Sequence, residues 1–166
     1  MSDTILTTEG LGKAFGGDAV FDELDLTVEA GEVIVLLGPN GTGKSVLASC
    51  LAGGLSPSAG TVEVLGGKPG TALGKTSFLL QDALCLDRLT GWENISFYDR
   101  LNPSFTDRWR TLVEAFGIDD DLDDRVDQYS GGMRRKLELA ISLSVEAPLY
   151  ILDEPTAALD LTMVRE

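Results

Sequence analysis

Histidine is absent from the 166 residues, which excludes imidazole acid–base chemistry and histidine metal sites. Cysteine is scarce. Cys50 and Cys85 form no C-x-x-C pair, so they do not build the disulfide framework of a secreted mini-domain and read as reduced, intracellular thiols. Positive charge is also short: 13 Lys and Arg stand against 27 Asp and Glu, a formal net charge of −14. A surface of that sign repels polyanions, so no nucleic-acid partner is expected. The same acid excess suits either a high-salt habitat, where carboxylates keep a protein solvated, or an ordinary acidic cytosolic protein. Long apolar runs are missing. The longest, Val33 to Leu37, falls far short of a bilayer span of about 18 to 20 residues, and no charged-then-apolar leader follows Met1. Direct membrane insertion is therefore not expected.

What is present describes a globular chain: 43% apolar and 24% charged residues, in a length that fits one domain with a small inserted lobe. The first third reads as strands. Ile5 to Thr8 and Leu24 to Val28 carry strand-like apolar patterning around a Gly16-Gly17-Asp18 turn. Glu32-Val33-Ile34-Val35-Leu36-Leu37 is a short, β-branched run of the kind buried on both faces of a parallel sheet. From Lys44 a breaker-free segment predicts a helix that stops at Gly53-Gly54. Thr61 to Leu65 and Thr76 to Leu80 predict further strands. Helices are predicted over Trp92 to Leu101, over Phe105 to Phe116 with Ser104 as its cap, and over Gly131 to Val145. The acidic run Asp119 to Asp124 reads as a solvated connector rather than a metal loop, since it lacks a spaced glycine and a closing glutamate. Leu149 to Leu152 is again an apolar strand.

Three motifs carry chemistry. Gly38-Pro39-Asn40-Gly41-Thr42-Gly43-Lys44-Ser45 matches G-x-x-x-x-G-K-[ST], placed between a predicted strand and a helix. Its glycines let successive N–H groups point into one concavity, to which the helix N-terminus adds partial positive charge. Such a concavity holds phosphate oxygens, with Lys44 reaching the β- and γ-phosphates and the Ser45 hydroxyl completing a magnesium shell. Leu149 to Leu152 runs into Asp153-Glu154. A carboxylate at a strand end sits where ligands bind in open α/β folds, so Asp153 would hold magnesium and Glu154 would polarise an attacking water, although an apolar run closed by Asp-Glu on its own also reads as a plain strand end. Between them stands Tyr129-Ser130-Gly131-Gly132-Met133, a helix start capped by Ser130 and able to attract an anion.

In this order the motifs make the chain resemble the nucleotide-binding domain of ATP-binding-cassette (ABC) transporters from about Thr4 to its end. Met-Arg-Arg after Ser-Gly-Gly is similar to the branch of drug and antibiotic exporters. The resemblance implies an α/β fold: a P-loop NTPase (RecA-like) core with an N-terminal antiparallel β subdomain and an inserted helical subdomain. The expected domains are 1–82 with 148–166 as core and 83–147 as helical lobe. The cofactors implied are ATP and Mg2+. By the resemblance, Ser130, Gly131 and Gly132 face the γ-phosphate held by an opposite subunit. Gln81 contacts magnesium or the attacking water, Phe15 stacks on adenine, and Asp160 crosses the dimer interface. The partners implied are a second nucleotide-binding domain, meeting head to tail, and a membrane-spanning permease. The segment Asp82 to Arg100, with Leu84, Leu86, Leu89, Trp92 and Phe97, resembles the face that receives the permease. The chain would then lie in the cytoplasm, peripheral to the cell membrane.

Two departures from the family pattern stand out. Tyr129 and Met133 replace the commoner Leu and Gln. The sequence also ends at Glu166, before the strand that in the family carries a switch histidine. From this, the C-terminal strands of the sheet are expected to be missing and the isolated chain to hydrolyse ATP poorly. A soluble ABC-type ATPase without a membrane partner, or an inactive truncated fragment, are the rival readings.

Overall fold

The computed structural model describes residues 4–70, 76–79 and 84–156. Two compact units emerge, Met1–Thr76 with Pro148–Asp153, and Ser77–Ala147 with Glu154–Glu166.

In the first unit, β1 (Thr4–Phe15) and β2 (Asp18–Glu29) form a long antiparallel hairpin. Its turn is Gly16-Gly17, both at positive φ (59° and 99°). Only a mirror-type two-residue turn matches the strands' twist, and glycine adopts it without strain. Pairing carries both strands well past the apolar stretches visible in the sequence. β3 (Ala59–Val64) joins the other edge of β1, giving the order β2-β1-β3. A Cβ at Gly60 would lie 2.2 Å from the Gly10 carbonyl oxygen, so only glycine permits that crossing. α1 (Lys44–Leu51) buries Leu47 and Leu51 against Leu6, Leu11 and Val64, and β5 (Leu149–Leu152) packs Leu149 and Ile151 on the same cluster.

The expected buried strand at 32–37 does not form. Residues 32–39 have no regular structure, and Val33 and Leu37 are 87% and 88% exposed. A turn in which the Glu32 amide donates to the Glu29 carbonyl (3.1 Å) ends β2 instead. A strand buried on both faces needs a neighbour to pair its N–H and C=O groups. Among the described residues no strand pairs with this run.

Among its described residues the second unit contains β4 (Thr76–Leu79) from Ser77 onward and the α-helices α2 (Gly91–Leu101), α3 (Arg108–Phe116) and α4 (Gly131–Leu143). Its core joins Cys85, Ile95, Trp109, Val113, Ile118, Val126, Leu137 and Ile141. α2 starts in a capping box: the Thr90 hydroxyl accepts from the Glu93 amide (3.1 Å), and the Glu93 carboxylate accepts from the Thr90 amide (2.9 Å). α3 begins three residues later than the sequence predicts, and Asp107 rather than Ser104 precedes it. The reason is competition for hydrogen bonds. Thr106 donates both its amide and its hydroxyl to the Ser144 carbonyl (2.8 and 2.9 Å), strapping 103–106 to the end of α4. The same strap stops α4 at Leu143, short of the expected Val145. The acidic run forms a 3-10 turn at Asp119–Asp121, with Asp119 and Asp120 exposed and Asp121 half-buried. Among the described residues no group of three or more His, Cys, Asp or Glu is gathered to hold a metal ion.

Candidate functional site

Although no strand precedes it, the 38–45 segment is curled rather than extended. Gly41 and Gly43 take positive φ (83° and 91°), and the Thr42 hydroxyl donates to the Pro39 carbonyl (2.9 Å). Lys44 folds back over the loop, its Nζ donating to the carbonyls of Gly38 (2.9 Å) and Pro39 (2.8 Å). Gly43 precedes α1 without any side-chain cap, and no acidic residue stands in the first turn. The helix N-terminus thus keeps amide donors and its partial positive charge for an anion. These residues fit the triphosphate of a nucleotide.

Gly43 also places the loop. A Cβ there would meet Val20 Cγ1 at 2.6 Å, so glycine lets the loop rest directly on β2. The same hairpin end carries Phe15, paired with Asp18 and half exposed (50%), with Lys13 Nζ 4.8 Å from its ring centre. Phe15 is therefore an exposed aromatic at the turn end of the β1–β2 hairpin and no part of the core. Asp153 directly follows β5 and is buried (6% exposed). The unit thus holds Ser45 at the start of α1 and Asp153 at the end of the strand packed on α1. A hydroxyl and a carboxylate are the hard oxygen donors that Mg2+ takes.

The second unit carries the other expected groups. Ser130 caps α4, its hydroxyl accepting from the Met133 amide (3.2 Å), and Ser130 and Gly131 are exposed. Tyr129 donates its hydroxyl to the Asp121 carbonyl (2.7 Å) and packs on the helical core. Burial, reinforced by Asp121 and Asp124, pushes its phenol up to about 12. Glu154 is exposed and sits at φ 46°, a left-handed conformation that non-glycine residues seldom adopt. Of the residues expected to face the permease, Leu84 packs on the core, Leu89 is half-buried, and Leu86, Trp92 and Phe97 are exposed. Gln81 and Asp160 lie outside the described residues.

One group was missed. Arg134 and Arg135 each pair with Glu138 on α4, and Arg135 and Glu138 are buried. Their signal in the sequence is a glutamate set between Leu137 and Leu139-Ala140-Ile141, where a charge requires a partner one helical turn away.

A family model described as ABC transporter matches residues 21–157. The daunorubicin/doxorubicin resistance ATP-binding protein DrrA of Streptomyces peucetius is 40% identical over 163 residues, covering 93% of this chain and 49% of that protein. The Nod factor export ATP-binding protein I of Rhizobium leguminosarum bv. viciae is 38% identical, covering 96% and 54%. The chain thus spans about half the length of these relatives. A putative ABC transporter ATP-binding protein from Pyrococcus furiosus superimposes with a TM-score of 0.83 at 25% identity, over 95% of this chain and 78% of that one. A second solved structure, an ATP-binding subunit of an ABC transporter, gives 0.84 at 23%. The fold is that of ABC ATPase domains, a mixed α/β P-loop architecture with its antiparallel β part and helices in place, and the chain belongs to the ABC transporter family.

Proposed function

We propose that this chain binds MgATP as the ATP-binding subunit of an ABC exporter and couples its hydrolysis to transport through a separate membrane-spanning permease. The observation that carries the reading is the curled 38–45 loop at the uncapped start of α1, with Lys44 folded over it. The loop amides and Lys44 bind the phosphates, and Phe15 offers its ring face to adenine. Ser45 and Asp153 would hold Mg2+, joined by Gln81 as the resemblance implies. When bound, the ion neutralises charge on the β- and γ-phosphates. Glu154 orients a water and accepts its proton as the water attacks the γ-phosphorus, giving ADP and phosphate.

Ser130, capping α4, with Gly131 and Gly132, which bring no bulky side chain to its first turn, would present that N-terminus to the γ-phosphate held by a second copy. Two copies meeting head to tail, with Asp160 at their interface, thus complete two sites. A chain kept monomeric is expected to turn ATP over slowly. Export is the direction we infer, because the relatives are named for drug resistance and Nod factor export. Among the described residues no helix is long and apolar enough to cross a membrane. On this reading the chain works on the cytoplasmic face, held there by the permease.

The test is thermal unfolding of the full chain with and without MgATP. A ligand that binds only the folded state raises the midpoint, and Lys44→Ala is expected to abolish most of that rise. An unchanged midpoint at millimolar MgATP sinks the proposal. Co-purification with a multispanning membrane protein tests the transport half.

A further inference from the structure

Arg135 and Glu138 are 8% and 4% exposed, and two charges are buried at tolerable cost only where hydrogen bonds satisfy both. The bonds they make lead to two separate stretches of backbone. Glu138 Oε1 accepts from the Leu84 amide (3.1 Å) and, at longer range, the Cys85 amide (3.5 Å), while its Oε2 accepts from Arg135 Nη1 (3.3 Å). Arg135 Nη2 donates to the Glu154 carbonyl oxygen (3.0 Å). Arg134 braces the first stretch as well, donating to the Cys85 carbonyl (3.2 Å) and pairing with Asp87. One helical turn of α4 therefore holds the 84–87 segment with one set of bonds and residue 154 with another.

The arginine is suited to this in a way lysine is not. Its planar fork reaches a carboxylate with one nitrogen and a carbonyl with the other, whereas an ammonium is a single point charge. The residue it grips is a strained one, since Glu154, like Glu23 and Leu65, holds a positive φ (46°) without being glycine, and such a conformation persists only when its surroundings fix it.

We infer that Arg135 is a positioning residue. It holds the Glu154 peptide in its left-handed conformation, which sets the direction of the Glu154 carboxylate. Through Glu138 it makes that direction depend on where the backbone at Leu84 and Cys85 lies. Withdrawal of the 84–87 segment removes the amides from Glu138, loosens the Arg135 fork, and releases residue 154. The inference rests on the proposed reading of Glu154 as the base.

The test measures steady turnover and MgATP affinity of the full chain, assembled with its partner, in four variants. Arg135→Met is expected to lower kcat about a hundredfold, the loss that a misplaced catalytic group incurs, with affinity nearly unchanged. Arg135→Lys is expected not to rescue it. Arg135→Met combined with Glu138→Leu removes both buried charges, so the thermal midpoint recovers while kcat stays low. If kcat recovers together with the midpoint, the pair is merely structural and the inference falls. Wild-type kcat in Arg135→Met, with Glu154→Gln inactive, overturns it too, leaving the catalytic reading intact. Should Glu154→Gln keep full turnover, the catalytic reading fails on its own. Amide exchange over 153–154 then decides the positioning claim: faster in Arg135→Met supports it, and an unchanged rate refutes it.

Discussion

Gly43 does two things at once: it takes φ 91° and leaves room for Val20 Cγ1, which a Cβ would approach to 2.6 Å. Gly43→Ala is expected to cost about 1–2 kcal/mol from the left-handed backbone alone, and to weaken nucleotide binding because the loop must lift from β2. Chemical denaturation and nucleotide titration check both parts. Tyr129 offers a pH prediction. Burial and the neighbouring Asp121 and Asp124 raise its phenol from 10.0 to about 12, so above pH 10 the unfolded state gives up its proton before the folded state does. Stability is then fully present below pH 10 and is lost as pH climbs towards 12. Cys85, raised from 9.0 to about 12 mainly by burial, acts in the same direction from pH 9. Tyr129→Phe is expected to lose about 1 kcal/mol at neutral pH with the Asp121 bond, and to show a shallower fall above pH 10. An identical alkaline slope in the two proteins would contradict the assigned cause.

At the scale of elements, two helices begin with hydroxyl caps and invite a paired experiment. Thr90→Ala breaks the capping box of α2 and Ser130→Ala removes the cap of α4. Each is expected to cost about 1 kcal/mol of stability. Only Ser130→Ala is expected to lower turnover, since Ser130 alone is assigned to face a phosphate. Equal kinetic losses in both would show that helix stability, rather than the anion contact, sets the rate. The helices were largely legible beforehand because apolar spacing and cap residues are local. The start of α3 was not, because Ser104 looks like a cap until Thr106 is seen bonded to the Ser144 carbonyl, 38 residues away. The strap depends on a long-range contact that no local pattern encodes.

For the molecule as a whole, the run from Val33 to Leu37 is an exposed apolar stretch among the described residues. Ile34, Val35 and Leu36 are 47%, 67% and 43% exposed, and short β-prone apolar segments left open associate with one another. The charge of −14 opposes that association by repulsion, which salt screens. Sedimentation is expected to show self-association that grows with salt and that Val35→Lys suppresses, at less than about 0.5 kcal/mol of stability. Association unaffected by that change would place the sticky surface elsewhere. The sequence by itself determined the glycine-rich 38–45 motif, the order of the motifs, the cap at Ser130 and the net negative charge, because each rests on residue type and spacing along the chain. Only the tertiary structure decided that Phe15 stands exposed at the end of the β1–β2 hairpin, that among the described residues no strand pairs with 33–37, and that Arg135 grips the Glu154 carbonyl. Those depend on which distant backbone groups find each other, and hydrogen bonds between remote segments leave no periodic trace in the sequence.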